Sequence, residues 1–425
     1  MGTRIDAVAA RLDRFMTAER LRLYPTAILI GQIIMVIAMI GIPLIASSED
    51  QTLLPDFAAP WTGASFFLDG RLSELYDVNA QWAFQTEAVR NAAPSWFVSP
   101  PHVALLYTPL ALVSFNTAAL IWTAFSILCI VLSVRLLEPF APTLFREHRV
   151  VTILILVSSF PIFELLGAGQ QSALTLLLMV GGIRLVLADQ QGWAGIVFAL
   201  GAIKPQLFIL VPFMLLAMRM WKALATGALT GIATLAITHV VFGPEVFRAW
   251  LEALASPAYA ELVQIDQAWK MIGLPAFFVT LAPPIWAPAV ASIGTLVTIA
   301  VVAFGIWKVF AWAKLGVDQR AIWSLALLAT ILASPHLVLY DLTLIFVPAL
   351  FLVEVANTRA TRVSLMLLYF LTWITSVIHL AALKLPWPLT WIDASWVTLT
   401  IIVLWRELDR HVRGKPSDPK AASSH

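Results

Sequence analysis

Charge is scarce in this chain. Of 425 residues only 12% are Asp, Glu, Lys or Arg, where soluble domains carry about a quarter. Hydrophobic residues make up 60%, and the mean hydropathy is +0.86. This composition excludes an ordinary soluble globule and points to a polytopic membrane protein. The net charge is +2 and no basic run is dense enough for a phosphate-binding stripe, so nucleic acid is not an expected partner. The one cysteine, Cys129, stands inside an apolar run; neither a disulfide framework nor a thiolate metal cluster can form within one chain, and it reads as a small buried residue. HExxH, GxSxG, P-loop and GxGxxG contexts are all missing, which leaves metalloprotease, serine-hydrolase and nucleotide-binding readings without a basis. An enzyme built from the remaining parts draws its donor from the lipid phase rather than from a soluble nucleotide.

What is present is a series of apolar segments interrupted by polar loops. Residues 1–24 carry Arg4, Arg11, Arg14, Arg20 and Arg22 ahead of an apolar run from Pro25 to Ala46. That run is too long for a signal-peptide core and has no small-x-small cleavage site, so it reads as a retained first helix. The positive-inside tendency keeps the arginines cytoplasmic and sends the next loop, 47–101, to the other side. A short piece, His102 to Phe115, is broken by Pro109 and reads as a half-helix; a full-length segment, Asn116 to Leu137, follows. Further apolar segments cover 150–166, 172–188, 194–218, 223–242, 286–310, 321–333, 340–356, 363–380 and 392–405. Basic pairs at Arg146/Arg149, Arg219/Lys222, Lys314/Arg320 and Arg359/Arg362, with Arg406, Arg410, Arg413 and Lys415, orient these toward the cytoplasm. With 138–149 inside, residues 167–172 fall outside and 194–218 becomes a hairpin broken near Lys204-Pro205; if every segment crosses once, 167–172 fall inside. The first arrangement puts more Lys and Arg on the cytoplasmic side. A second external segment spans 243–284, and SPHLVLYD (334–341) and KLPWPLTW (384–391) are expected on the same face. The expected organisation is a single all-α membrane domain over 25–405 with a cytoplasmic tail at 406–425. It contains no clean internal repeat.

The loop 47–101 holds seven of the 25 acidic residues: Glu49, Asp50, Asp56, Asp69, Glu74, Asp77 and Glu87. Asp56, in PDFAAPW, lies between the membrane surface and the aromatic groups of Phe57 and Trp61. Partial desolvation there makes a carboxylate a better proton acceptor, and the alternative is a solvated loop acid. Asp69, Glu74 and Asp77 read as turn and cap residues, Asp69-Gly70 being a turn signal. The loop has no DxD pair, so a divalent-metal site is not evident and no cofactor is expected. Lys204, with about ten apolar residues on either side, costs roughly 2.5 to 3.5 kcal/mol to insert and so marks a cavity or a snorkelling helix end. Pro205 opens the helix beside it. His336, after Pro335, is set with Tyr340 and Asp341 where the chain returns to the membrane. It reads as a hydrogen-bond or charge donor to a leaving group, or as a satisfied interface histidine. His102 has the same two readings. Gln170, Gln171 and Ser172 form a polar step suited to sugar hydrogen bonding or to helix–helix contact. Glu164 is an intramembrane acid of unassigned role.

Six pieces, in order, resemble glycosyltransferase family 87, the polyprenol-phosphate-mannose-dependent mannosyltransferases once filed as domain of unknown function 2029. They are DFAAPWTGASFFLDGRLSELYD (56–77), SPPHVALLYTPLALVSFNTAALIW (99–122), GAGQQSALTLLL (from Gly167), AGIVFALGAIKPQ (from Ala194), RMWKA (from Arg219) and SPHLVLYDL (from Ser334). The likeness spans about residues 50 to 345. It departs from the usual pattern at Trp61, where a tyrosine-type aromatic is usual, and at Phe97-Val98-Ser99, where Tyr commonly precedes the prolines. The resemblance implies a GT-C type fold with roughly ten to twelve transmembrane helices in a bacterial inner (plasma) membrane, its site facing outward. It implies transfer of mannose or a similar hexose from a polyprenyl-phosphate-sugar donor to a glycolipid or glycan acceptor in the cell envelope. Asp56 becomes the base, Lys204 and His336 hold the departing phosphate, and the lipid tail lies between helices. Trp61, Asp77, His102, Gln170, Gln171, Tyr340 and Asp341 are the sugar or acceptor candidates. The rival reading is a lipid or sugar transporter or flippase, which also uses broken helices; the acidic loop and the lack of a repeat weigh against it.

Overall fold

The computed structural model describes residues 2–46, 54–89, 94–259, 270–382 and 394–414. Glu49, Asp50, the segment 384–391 and the tail from Lys415 lie outside the described residues, as do parts of both external segments. Among the described residues the architecture is helical, with one isolated antiparallel bridge, Met271 to Val338.

Helix α1 (Gly2–Phe15) and helix α2 (Ala18–Ala46) open the chain. The sequence places the first helix from Pro25; it starts about two turns earlier, at Ala18, because the Thr17 hydroxyl accepts the Arg20 N–H, an N-cap hidden in a basic run. Asp13 at the end of α1 then pairs with Arg362 at 2.6 Å and Arg359 at 3.7 Å, so the arginine-rich start is docked on the far end of the chain.

The acidic loop is a folded cap. It holds a 3-10 turn at Pro55–Phe57, helix α3 (Ala58–Leu68) and helix α4 (Val78–Ala88), and leads into α5 (His102–Ala111) and α6 (Phe115–Leu136). Phe57, Trp61, Phe66, Leu75, Phe97 and Tyr107 build an apolar cluster of their own against Trp122. Two glutamines bind its backbone: Gln81 is 1% exposed and accepts the Phe97 N–H at 2.7 Å, while Gln85, 0% exposed, donates to the Ser95 carbonyl at 2.6 Å. Their full burial with partners is what makes the cap a packed body. As the sequence suggests, Asp77 caps α4, accepting from Asn79 and Ala80, and Glu74 pairs with Arg71.

After α7 (Pro142–Glu147) the chain makes a bent pair, α8 (Arg149–Val157) and α9 (Phe160–Ala168), meeting at 46°. The carbonyl of Ser158 freed at the bend accepts from Gln32 of α2 at 3.0 Å, and the Ser158 hydroxyl bonds Tyr369 at 2.7 Å. Next come α10 (Ser172–Leu187), α11 (Gln191–Leu200), α12 (Pro205–Phe208), α13 (Val211–Ala217) and α14 (Trp221–Ala255). Gly192 and Gly195 at the start of α11 face Lys222, Ala223 and Thr226 at the start of α14. The chain from 191 to 220 therefore leaves one end of the molecule and returns to it, a hairpin opened at Lys204. Helix α14 bends at Gly243 (φ 80°) before Pro244, where the second external segment begins. The remainder is α15 (Pro257–Tyr259), α16 (Leu274–Leu281), α17 (Ala287–Lys314), α18 (Gln319–Ala333), a 3-10 stretch at Leu339–Ile345, α19 (Phe346–Val355), α20 (Arg359–Ala382) and α21 (Ala394–Gly414).

Among the described residues four helices are long and apolar enough to cross a membrane, or five if α8 and α9 make one span. The ten-to-twelve count is not reproduced. A bilayer core of about 30 Å needs about 20 helical residues; five further apolar helices among the described residues run only 10–17 residues. Cys129 is 1% exposed, as its apolar surroundings lead one to expect.

Candidate active site

Four interruptions of helix converge: the 3-10 turn at 55–57, the step 169–171 between α9 and α10, the break at Lys204, and the connection 334–338 with the 3-10 stretch after it. Gly169 makes the first approach. It ends α9 with φ +75°, and a Cβ there would lie 2.7 Å from Leu54 Cβ and 2.8 Å from Phe57 Cβ. Only a residue without a side chain lets the 54–57 turn close on the helix end. Trp122 locks the corner by donating to the Gly169 carbonyl at 2.9 Å.

The turn carries Asp56, half-buried, to Gln170, whose Nε2 donates to Asp56 Oδ2 at 2.7 Å. Residues 167–172 therefore share a side of the molecule with the acidic cap. Two residues on, Ser172 opens α10 and donates its hydroxyl to Asp341 Oδ1 at 2.6 Å. Lys204 Nζ reaches the same carboxylate oxygen at 2.6 Å and Ser172 Oγ at 3.2 Å, and lies 4.9 Å from the centroid of the Tyr340 ring. With Asp341 1% exposed and the Lys204 side chain 13%, this is a buried ion pair joining segments 137 residues apart. The lysine does not snorkel.

His336 is half-buried in the connection after α18, held by the Ile272 N–H on Leu337 O at 2.8 Å and by the Met271–Val338 bridge. Burial pushes its imidazole down to about 4, Lys204 and Lys270 push the same way, and Asp341 opposes them. The ring is neutral at pH 7, so it acts as a hydrogen-bonding group rather than a charge. Glu164, on α9, feels Asp56, Lys270 and Asp341, and the backbone amide of Tyr340 lies beside its carboxyl.

The structure thus gathers Asp56, Gln170, Gln171, Lys204, His336, Tyr340 and Asp341. Three candidates serve elsewhere. Trp61 is 7% exposed, stacked on Phe84 and edge-on to Phe115 inside the cap. Asp77 spends its carboxylate on the N-terminus of α4. His102 hydrogen-bonds the backbone of Ala202, which fastens α5 beside the Lys204 break. Sequence reasoning passed over Lys270, whose charge reaches Glu164 and His336. The signal was a lone lysine in QAWKMIG within the second external segment. Among the described residues no three His, Cys, Asp or Glu side chains gather at metal-binding distance.

The profile of glycosyltransferase family 87 matches residues 97–335, more than half of the chain, and the chain belongs to that family. It is a membrane glycosyltransferase, which displaces the transporter reading. No curated protein matches, and no solved structure does. The matched stretch includes Gln170, Gln171 and Lys204 but ends before His336, Tyr340 and Asp341 and begins after Asp56.

Proposed function

We propose that this protein transfers mannose, or a similar hexose, from a polyprenyl-phosphate-sugar to an acceptor hydroxyl on the extracytoplasmic face, through a GT-C type body and without a metal. The observation that carries the reading is the meeting of Asp56 and Gln170 at the end of the cap, beside the buried cluster of Ser172, Lys204 and Asp341. The acceptor oxygen attacks the anomeric carbon while its proton passes to Asp56; the bond from that carbon to the phosphate oxygen breaks and its electron pair leaves with the phosphate. One carboxylate on the attacking side gives inversion. Gln170 fixes the carboxylate through Oδ2 and leaves Oδ1 to take the proton.

On the leaving side Lys204 has three N–H donors and commits two, to Asp341 and Ser172. The third is free for a phosphate oxygen. Neutral His336 supplies a further hydrogen bond to it. Both stabilise charge that develops only as the bond breaks, which is where such contacts accelerate reaction.

Asp56→Asn keeps the side-chain size and removes the proton acceptor. Transfer of radiolabelled mannose from polyprenyl-phosphate-mannose to a membrane lipid extract is expected to fall by about 10²- to 10⁴-fold with the melting curve unchanged. Near-normal turnover would remove Asp56 from the mechanism.

A further inference from the structure

The seam between residues 164–172 and 334–341 carries an unusual number of polar atoms with nothing to bond. Glu164 Oε2, Gln171 Oε1, Ser334 Oγ, His336 Nδ1 and Asp341 Oδ2 are all shielded from solvent and have no hydrogen-bond partner. Gln171 is 6% exposed, Ser334 3% and Asp341 1%. Helix α9 packs directly on the 3-10 stretch 339–345, and Ser172, next to Gln171, bonds Asp341, so Glu164, Gln171 and Asp341 line one contact region, with Ser334 and His336 in the connection that leads into it. Buried polar groups without partners are costly and rare in a finished fold. A cluster of five on two facing segments marks a place where a ligand completes the hydrogen bonding.

The chemistry of the orphans says what kind of ligand. Gln171 Oε1 and Asp341 Oδ2 can only accept, and the Glu164 carboxyl offers oxygen lone pairs to a hydroxyl in either protonation state. A phosphodiester offers acceptors and negative charge, so it satisfies neither Gln171 Oε1 nor Asp341 Oδ2. A neutral molecule with several hydroxyls satisfies all of them. We propose that Glu164, with Gln171 Oε1 and Asp341 Oδ2 beside it, binds the hydroxyls of the donor's sugar ring. The proposal rests on the donor reading above and adds a residue to it. Glu164 lies on α9, the helix whose end at Gly169 receives the Asp56 turn and whose side packs on the 3-10 stretch that carries Asp341. Its carboxyl is therefore on the element that joins the proposed base to the ion pair. The Tyr340 backbone amide beside it orients the group.

The test separates sugar from phosphate. Equilibrium binding of polyprenyl-phosphate-mannose and of bare polyprenyl phosphate would be measured in lipid nanodiscs for wild type, Glu164→Ala and Glu164→Gln. The expected result is a roughly tenfold or greater loss of affinity for the mannose-bearing lipid in Glu164→Ala, a smaller loss in Glu164→Gln, and unchanged binding of the bare lipid by both. Retained bare-lipid binding shows that each variant is folded. Equal losses for the two lipids in the isosteric Glu164→Gln, or no loss for either in both variants, would overturn the proposal. Wild-type protein that binds bare lipid but gains nothing from mannose, or binds neither, would overturn the donor reading instead and take the sugar assignment with it. That pattern is distinct from a selective change at Glu164.

Discussion

Lys204 was legible as a costly intramembrane charge and Asp341 as a polar residue where the chain returns to the membrane, but not as a pair. Nothing local in IKPQ or LYDL tells a lysine that its counterion is 137 residues away, at 2.6 Å. The pairing changes the expectation for mutation. Removing one partner strands a buried charge, so Lys204→Ala or Asp341→Ala is expected to cost about 3–5 kcal/mol of stability, while Lys204→Met combined with Asp341→Leu costs much less. Denaturant unfolding in detergent across the double-mutant cycle checks this; additive losses would show that the two act independently. The same variants without Lys204 also lose the free N–H assigned to the phosphate, so the double variant is expected to be stable and inactive. Asp56 was found from its position after the first helix and its aromatic neighbours. Its partner Gln170 was seen only as part of a polar step, because a glutamine between apolar runs suits helix contact as well as sugar binding.

At the scale of elements the breaks in helix were the most readable features. Pro205 stops the hairpin at Lys204, Pro335 ends α18 near His336, and GAGQQS separates α9 from α10. What was not readable is that these breaks touch. Gly169 is the device that lets them: its left-handed conformation and bare Cα admit the 54–57 turn. Gly169→Ala is expected to retain the fold but push the turn outward, at a backbone cost of about 1–2 kcal/mol. Since a displacement of about 1 Å can cost 10²-fold in rate, transfer should drop far more than the melting temperature suggests. Full activity in this variant would show that the turn need not sit on the end of α9. The cap taught the reverse lesson. Asp77 and Glu74 hold local structure, as their reading as cap and turn residues led one to expect, but buried Gln81 and Gln85, uncharged and inconspicuous, hold the cap together.

For the whole molecule, the shared side of residues 56 and 170 and the hairpin at 191–220 define an orientation that labelling can read. In a Cys129→Ala background, Ser73→Cys on the exposed cap and Gln190→Cys at the exposed turn before α11 are expected to react with a membrane-impermeant maleimide from opposite faces, Ser73→Cys from outside. Labelling of both from one face would overturn the hairpin arrangement.

Composition alone settled that this is a membrane protein, because the cost of exposing a 60% hydrophobic chain to water is a sum over residues and needs no knowledge of contacts. Proline and glycine placement settled where helices break, through backbone sterics that act within a few residues. Motif order was enough for the family. The number of full-length spans, the burial of Trp61, the docking of α1 on α20 and the partners of Asp56, Lys204 and Glu164 were decided only by tertiary structure. A hydrogen bond or ion pair is specified by two positions at once, and hydropathy, which averages along the chain, carries no information about which distant position will face it.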